Sequence, residues 1–240
     1  MSFTPRRRLS LISLALGVTL VLTLSPIAAQ ASVKNPTTKS VLKATGKAMA
    51  KVSGVHVYVV SKSGTESSVV VVDIGATYGN ETITSGKSSV SIIVTPTDAY
   101  LRGSASGLTT IMGLTAAEQK KVGNHSLVMK AGTSPYESFH TNLTTSVLAG
   151  ILPAVTGTKY KVSGDSSKDY QLTWKTAATS SAAATKSVLT ISSGSKTLPI
   201  KEVITASSGG GTTTFSKWNE KVVEKAPKAA NTIPYAKVIS

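Results

Sequence analysis

The stretch SSVVVVDIG, from Ser67 to Gly75, decides the fold of this chain. Side chains of a β-strand point alternately to its two faces, so four consecutive valines cannot share one face. The alternation places valines on both faces, with Val70, Val72 and Ile74 on one and Val69, Val71 and Asp73 on the other. A sheet with one solvated face carries polar residues there. The stretch therefore predicts a strand covered on both faces, or one whose second face carries half-exposed valines, which strands tolerate well.

One helix and four further strands surround this stretch. The helix is indicated by residues at helical spacing: Val41, Leu42, Thr45, Ala48, Met49 and Val52. Five strands are predicted, over Val55–Ser61, Ser67–Ile74, Asn80–Gly86, Ser88–Thr95 and Asp98–Gly103. Short links join them, so we expect an antiparallel meander.

A helical segment interrupts the strands. Thr115 and Glu118 have the spacing of a capping box, which predicts a helix in TAAEQKKVG, and HSLVMK after it is predicted to be extended. A second helix is predicted to begin at Ser134-Pro135-Tyr136-Glu137, with Ser134 as its capping residue. The helix is predicted to end at Gly150 and Pro153. One of its faces carries Tyr136, Phe139, His140, Leu143, Val147 and Ile151.

Strands return in the last third of the chain. Five segments read as strands: TKYKVSG, DYQLTWKTA, KSVLTISSG, TLPIKEVITAS and TTTFSKWNEKVVE. The links between them are turn-rich, and SSGGG at 207–211 is predicted to be a hairpin turn. Since no break in composition divides the halves, we expect one α+β domain over residues 32–240, with a many-stranded antiparallel sheet and helices on one side.

The first 31 residues are predicted to be a secretory signal peptide. A basic start at Arg6–Arg8 precedes an apolar run from Leu9 to Leu24, and Pro26 follows. Ala29-Gln30-Ala31 has the small-x-small pattern of a cleavage site, so we expect cleavage after Ala31 and a secreted or envelope location. An uncleaved anchor is the alternative, because the apolar run is nearly long enough to cross a bilayer.

Composition excludes some partners and leaves others open. The chain has no cysteine, which excludes disulfides, thiol catalysis and thiolate metal sites. Its formal net charge is +15, yet beyond the leader it has a single arginine, Arg102. Nucleic-acid binding relies on arginine and interleaved aromatic residues, so we expect no nucleic-acid partner. The lysines fit either a solvated surface or attraction to an anionic membrane or wall surface.

No residue pattern indicates an enzyme. His56, His125 and His140 show no metal-site spacing, and the sequence has no nucleophile elbow, phosphate-cradling loop or zinc-protease motif. A hydrolase whose nucleophile and base meet only in space is the alternative. We expect a protein without catalytic residues, metal or cofactor, and the sequence leaves its oligomeric state open.

Several stretches together resemble one family. They are GKSSVSIIVTPTDAYLRGS, LTAAEQKKVGNHSLVM, LPIKEVI and TFSKWNEKVVEKAPKAA, in this order. The series is similar to actinobacterial envelope proteins of the LppX/LprG type, which have a LolA-like fold. Tyr100–Gly103 matches a strand ending in Tyr-x-x-Gly, Leu198-Pro199 a late strand, and Phe215–Trp218 a final Phe-Ser-x-Trp. Gly123-Asn124-His125 lacks the usual tryptophan of its turn, and the chain has no lipobox cysteine.

The resemblance implies a large curved antiparallel sheet, a half-barrel, with helices packed on its concave face. In the family an apolar cavity between sheet and helices holds lipids or lipoglycans. We therefore expect a non-enzymatic carrier of a lipid or other apolar small molecule, or alternatively a structural or interaction module of the cell wall with a filled core. The residues predicted to line the cavity, or else to pack an ordinary core, are Val70, Val72, Ile74, Ile92, Val94, Leu143, Val147 and Ile151.

Overall fold

The structure is a computed structural model that describes residues 36–152, 161–165, 168–178, 183–194 and 196–240. In chain order the elements are α1 (Thr38–Met49), β1 (Gly54–Ser63), β2 (Glu66–Gly75), β3 (Gly79–Ser85), β4 (Ser88–Val94), β5 (Asp98–Gly103), α2 (Ala105–Met112), α3 (Ala116–Val122), β6 (Ser126–Lys130), α4 (Ser134–Leu143), a 3₁₀ segment (Thr145–Gly150), β7 (Lys161–Asp165), β8 (Lys168–Thr176), β9 (Thr185–Ile191), β10 (Pro199–Ala206), β11 (Gly209–Ser216), a 3₁₀ turn (Ala229–Asn231), β12 (Thr232–Pro234) and α5 (Tyr235–Val238).

The strands form one sheet in the order β12-β6-β5-β4-β3-β2-β1-β11-β10-β9-β8-β7. All neighbours pair antiparallel except β12 and β6, which pair parallel. The predicted meander of β1–β5 is confirmed, and the sheet remains open, so the predicted α+β class with a curved antiparallel sheet is confirmed as well.

The two faces of the sheet are buried to different extents. Val70, Val72 and Ile74 are buried on the face that contacts α4, which we call the core face. Val69 and Val71 lie on the opposite, outer face and are half-buried. The four valines therefore split as the alternation requires, with one set in the core and the other at a partly open surface.

The helix after Pro135 is shorter than predicted. Its N-cap is Thr133, not Ser134, and α4 ends at Leu143 because Thr144 is extended (φ −119°, ψ 167°). Thr144 forms a β-bridge with Gly75, and its Oγ1 donates to the His140 carbonyl at 2.7 Å. A separate 3₁₀ segment follows, so the predicted single helical face that includes Val147 and Ile151 was wrong; Pro153 lies outside the described residues.

Capping residues fix where the neighbouring helices α2 and α3 begin. The predicted capping box is confirmed, because Thr115 N donates to Glu118 Oε2 at 2.7 Å and Glu118 N donates to Thr115 Oγ1 at 3.3 Å. Helix α2 was not predicted. Its N-cap is Ser104, whose Oγ accepts from Gly107 N at 3.2 Å, and it buries Leu108, Ile111 and Met112.

Two boundaries in the last third differ from the prediction. The glycines of SSGGG do not form the turn, because Gly209, Gly210 and Gly211 are paired within β11 to both β1 and β10. The strand predicted over TTTFSKWNEKVVE ends at Ser216. Beyond it, residues 217–228 form no strand or helix.

Residues 217–228 cross the outer face at one end of the sheet, and we call them the C-terminal strap. Asn219 N donates to the Gly54 carbonyl at 2.7 Å. Gly75 must be glycine here, since a Cβ on it would lie 2.7 Å from Val222 Cβ. Further along, Asn80 Nδ2 donates to Glu224 Oε1. The strap thus covers the outer face of β1–β3 at this end and leads to the β12 edge.

The predicted signal peptide lies outside the described residues, as do Thr158–Tyr160 of the TKYKVSG segment and residues 179–182. Within the part of the chain that the structure describes, no helix is long and apolar enough to cross a membrane.

Candidate ligand-binding site on the core face

The predicted wall residues gather on one side of the sheet. Six of them are 0–8% exposed within the core cluster: Val70, Val72, Ile74, Ile92, Val94 and Leu143. Val147 and Ile151 are half-buried and pack against the same cluster from the 3₁₀ segment and the residue after it. The structure therefore brings all eight together, while a ligand-lining role for them stays a prediction.

Helix α4 is held over this part of the core face by specific contacts. The hydroxyl of Tyr136 lies 3.0 Å from the Thr95 carbonyl oxygen and 2.9 Å from that of Pro96, to which it donates. At the other end, the Leu143 backbone sits so close to Gly79 that a Cβ there would collide with the Leu143 carbonyl. The helix is thus fixed against β3, β4 and β5 at both ends.

Half-exposed residues lie beside the buried ones on the core face, and we call them the core-face strip. It is formed by Val59, Glu81, Ile83, Glu202, Ile204 and Thr213. Val59 pairs with Val70 on one side and Thr213 on the other, and Thr213 pairs with Glu202. Paired residues share a face, so the strip is continuous with the buried valines.

Glu81 is the most unusual side chain of the strip. It pairs with Val72 and Ile92, both buried, and so points to the core face. Burial raises the pKa of Glu81 to about 7, because a low-dielectric surrounding disfavours the charged form. Around neutral pH this carboxyl is therefore shared between a neutral form that donates a hydrogen bond and a charged form that accepts one.

Glu202, on β10 four strands away from β3, is a second carboxyl on the core face beside a buried residue. It pairs with Leu189, which is 1% exposed, and with Thr213, and burial raises its pKa. Neither Glu81 nor Glu202 forms an ion pair among the residues described, although the chain carries an excess of lysine. The strip thus combines apolar side chains with two carboxyl groups whose pKa values are raised by burial.

The three histidines lie outside this strip. His56 Nδ1 is 2.6 Å from Asp73 Oδ1 on the outer face, beside the strap. His125 Nδ1 contacts the Val122 carbonyl at 3.1 Å, and His140 stacks on Tyr136 with ring centroids 5.3 Å apart. Within the described ranges no three histidine or acidic side chains come together as metal ligands.

A groove of about 640 Å³ lies at the opposite side of the sheet from the predicted cavity. Its lining includes Val60, Lys62, Val203, Thr205 and Thr212. Val60 and Thr212 are paired residues of the outer face, and Ile204 is the one residue of the core-face strip that also lines this groove.

Glu81 and Glu202 were not among the predicted site residues. A usable signal existed for Glu81, since alternation in NETITSG places Glu81 and Ile83 on the same face. Pairing between β2 and β3, which puts Ile83 opposite the buried Val70, then shows that this is the core face.

Comparisons with known proteins give distant structural likenesses. No protein-family model matches the chain, and no curated protein matches it. Among solved structures, the Mycobacterium tuberculosis lipoprotein LppX is similar at a TM-score of 0.44 and 16% identity, over 78% of this chain and 99% of LppX. LprF from Mycobacterium bovis is similar at a TM-score of 0.44 and 13% identity, over 79% of this chain and 96% of LprF. Likenesses this distant carry no argument about function.

Proposed function

We propose that the protein is an exported, non-enzymatic component of the cell envelope that binds and carries a lipid or another apolar molecule on the core face. One observation carries the proposal: the buried valine face continues into the core-face strip, where Val59, Ile83 and Ile204 remain half-exposed. Half-exposed apolar side chains next to a core form a surface on which an apolar ligand can bind and so extend the buried apolar area.

Burial of hydrocarbon would drive this binding. Each CH₂ group of an acyl chain removed from water contributes about 0.8 kcal/mol, so a chain along the strip needs few polar contacts for affinity. The polar groups would instead select the ligand. A neutral carboxyl at Glu81 or Glu202 donates a hydrogen bond to a hydroxyl or carbonyl oxygen, while its charged form favours an amine.

A dye-binding measurement with matched variants tests the proposal. Val59 and Val60 are neighbours on β1 and are both half-buried, but Val59 faces the strip and Val60 the outer face. We expect the wild-type protein to enhance the fluorescence of the neutral dye Nile red. Val59→Trp, which fills the strip, should abolish the enhancement, and Val60→Trp should keep it. Equal loss in both variants would contradict a site on the core face.

A structural module of the cell wall is the second candidate function. It is favoured by the close packing of the predicted wall, where Ile92 and Val94 are 1% and 0% exposed. Such a protein would take up no dye, and the Val59→Trp and wild-type proteins would then behave alike.

A further inference from the structure

Beyond the strap, the outer face of the sheet is organised in rows that run across the strands. Pairing places Lys62 on β1, Gly210 on β11, Thr205 on β10, Lys186 on β9 and Lys175 on β8 in one row. The next row holds Val69, Val60, Thr212, Val203, Val188, Thr173 and Lys161. The third holds Val71, Tyr58, Thr214, Lys201, Thr190 and Gln171.

The first row concentrates positive charge. Lys175 and Lys186 are directly opposite each other across β8 and β9, and both are exposed. Like charges in this position destabilise a strand pair unless a counter-charge is present. Lys62 lies about 19 Å from Lys175 across the sheet, at roughly 4.8 Å per strand. Among the residues described, none of these three lysines forms an ion pair.

Few acids face the same surface. Asp169 lies on β8 three rows away from Lys175, roughly 20 Å along the strand, where its carboxylate accepts from Ser193 N at 3.3 Å. Asp73 lies beside the strap and is bound by His56 and Asn80. Glu66 follows the hairpin turn next to Lys62, and alternation turns it toward the core-face side. The lysine row and the two rows beside it are thus free of acidic side chains within the described chain.

The second and third rows are apolar where they meet the lysines. Val60, Val69, Val188 and Val203 are half-exposed in one row, and Tyr58 is 41% exposed in the other. The groove of about 640 Å³ opens between Val60 and Val203, above the β11 glycines. A soluble polyanion would meet the lysines but leave this stripe in water, whereas a bilayer surface offers anionic headgroups and apolar depth side by side.

We infer that this outer face docks onto an anionic lipid bilayer. The lysines of the first row, with Lys161 and Lys201, meet the headgroups, and Tyr58 and the valine row reach the interface between headgroups and acyl chains. The inference is independent of the core-face strip, since the two surfaces lie on opposite sides of the sheet. Docking would bring the protein to a membrane without any lipid anchor.

Vesicle sedimentation with charge variants tests this docking surface. Each protein is mixed with vesicles of phosphatidylglycerol and phosphatidylcholine, and separately with vesicles of phosphatidylcholine alone. The quantity compared is the ratio of the bound fraction with the first vesicles to that with the second. Any insertion through the apolar residues 9–24 is common to all samples and does not change the comparison. We expect Lys175→Gln/Lys186→Gln to lower this ratio by roughly fivefold per lysine at low salt. The matched pair Lys43→Gln/Lys120→Gln removes the same charge from exposed positions on α1 and α3 and should leave the ratio nearly unchanged.

A second pair of substitutions separates a membrane from a soluble polyanion. Val69→Thr/Val203→Thr keeps the β-branched shape and should weaken vesicle binding at 0.15 M salt, where screening acts within about 8 Å. An equal ratio for the two lysine pairs, or a ratio of one for the wild type, would overturn the docking surface. If the lysine pair weakens vesicle binding but the valine pair does not, the occupant of this face is a phosphate-bearing polymer, and docking onto a bilayer is contradicted.

Discussion

Glu81 on β3 lies directly opposite Val72 on β2, with its carboxyl on the face that forms the core. Val72 is 8% exposed, and the next residue in the row, Ile92, is 1% exposed. A titratable group in this row links the stability of the fold to pH.

Glu81→Gln should remove a pH dependence of stability. The folded-state pKa of about 7 stands above the usual value of 4.5, so the contribution of this carboxyl to stability is fully present below pH 4.5 and is lost as the pH rises through 7. The loss is at most about 3.5 kcal/mol, because one pKa unit corresponds to about 1.4 kcal/mol. Urea unfolding at pH 5 and pH 8 should show a larger loss in the wild type than in Glu81→Gln, which keeps only the smaller pH dependence that comes from groups such as Glu202.

Glu66→Gln is the control for this experiment, since Glu66 is exposed at the start of β2. It should keep the wild-type difference between the two pH values. A wild-type protein as stable at pH 8 as at pH 5 would contradict the burial of the Glu81 carboxyl.

Two tyrosine-to-phenylalanine substitutions should have opposite effects. The Tyr136 hydroxyl donates to the chain before β5, whereas the Tyr170 hydroxyl is buried and has no hydrogen-bond partner among the described residues. Tyr136→Phe should cost about 1 kcal/mol, and Tyr170→Phe should be neutral or stabilising, because an unsatisfied buried hydroxyl is costly. Thermal unfolding measures both, and the reverse order of melting temperatures would refute the anchoring of α4 through Tyr136.

Two glycine-to-alanine substitutions should also differ in sign. At Gly79 a Cβ would meet the Leu143 carbonyl, so Gly79→Ala should destabilise by about 1–3 kcal/mol through overpacking. Gly46 lies inside α1, where a Cβ would be 3.8 Å from Leu152 Cδ1. Gly46→Ala should therefore stabilise by about 0.5–1 kcal/mol. If both variants unfold at the same urea concentration, the close approach of α4 to β3 is wrong.

The strap should loosen when Asn80 is truncated. Asn80 Nδ2 donates to Asp73 Oδ2 at 3.1 Å and to Glu224, so Asn80→Ala removes the side-chain contact between β3 and the strap. Hydrogen exchange should become faster in residues 217–228 and stay unchanged in β8–β10. Asn142→Ala, an exposed position on α4, serves as control. Faster exchange across the whole sheet would show a general loss of stability instead of a local release.

Sequence patterns predicted the elements whose stabilising contacts are local. The capping box of Thr115 and Glu118 closes within four residues, and the alternation of Val69–Val72 needs only the pleat of one strand. Both were predicted from residue type and spacing. Helix α2 has such a signal in Ser104, Leu108 and Ile111, but the helix is short, with eight residues.

The errors lie where distant parts of the chain decide the backbone. Thr144 is extended because it bridges to Gly75, so the helix before it ends without a Gly or Pro signal. Gly210 is held in a strand by partners on β1 and β10, although its sequence context indicates a turn. For the candidate site, the wall residues were predicted from their faces, but the openness around Val59 and Glu202 depends on how far the helices reach, which spacing does not determine.

Mass spectrometry of an organic extract of the purified protein tests the central claim most directly. We expect an apolar molecule in near-stoichiometric amount from the wild type and from Val60→Trp, and its depletion from Val59→Trp. Clean extracts from wild-type protein that also fails to take up Nile red would contradict a ligand on the core face and leave a filled structural module.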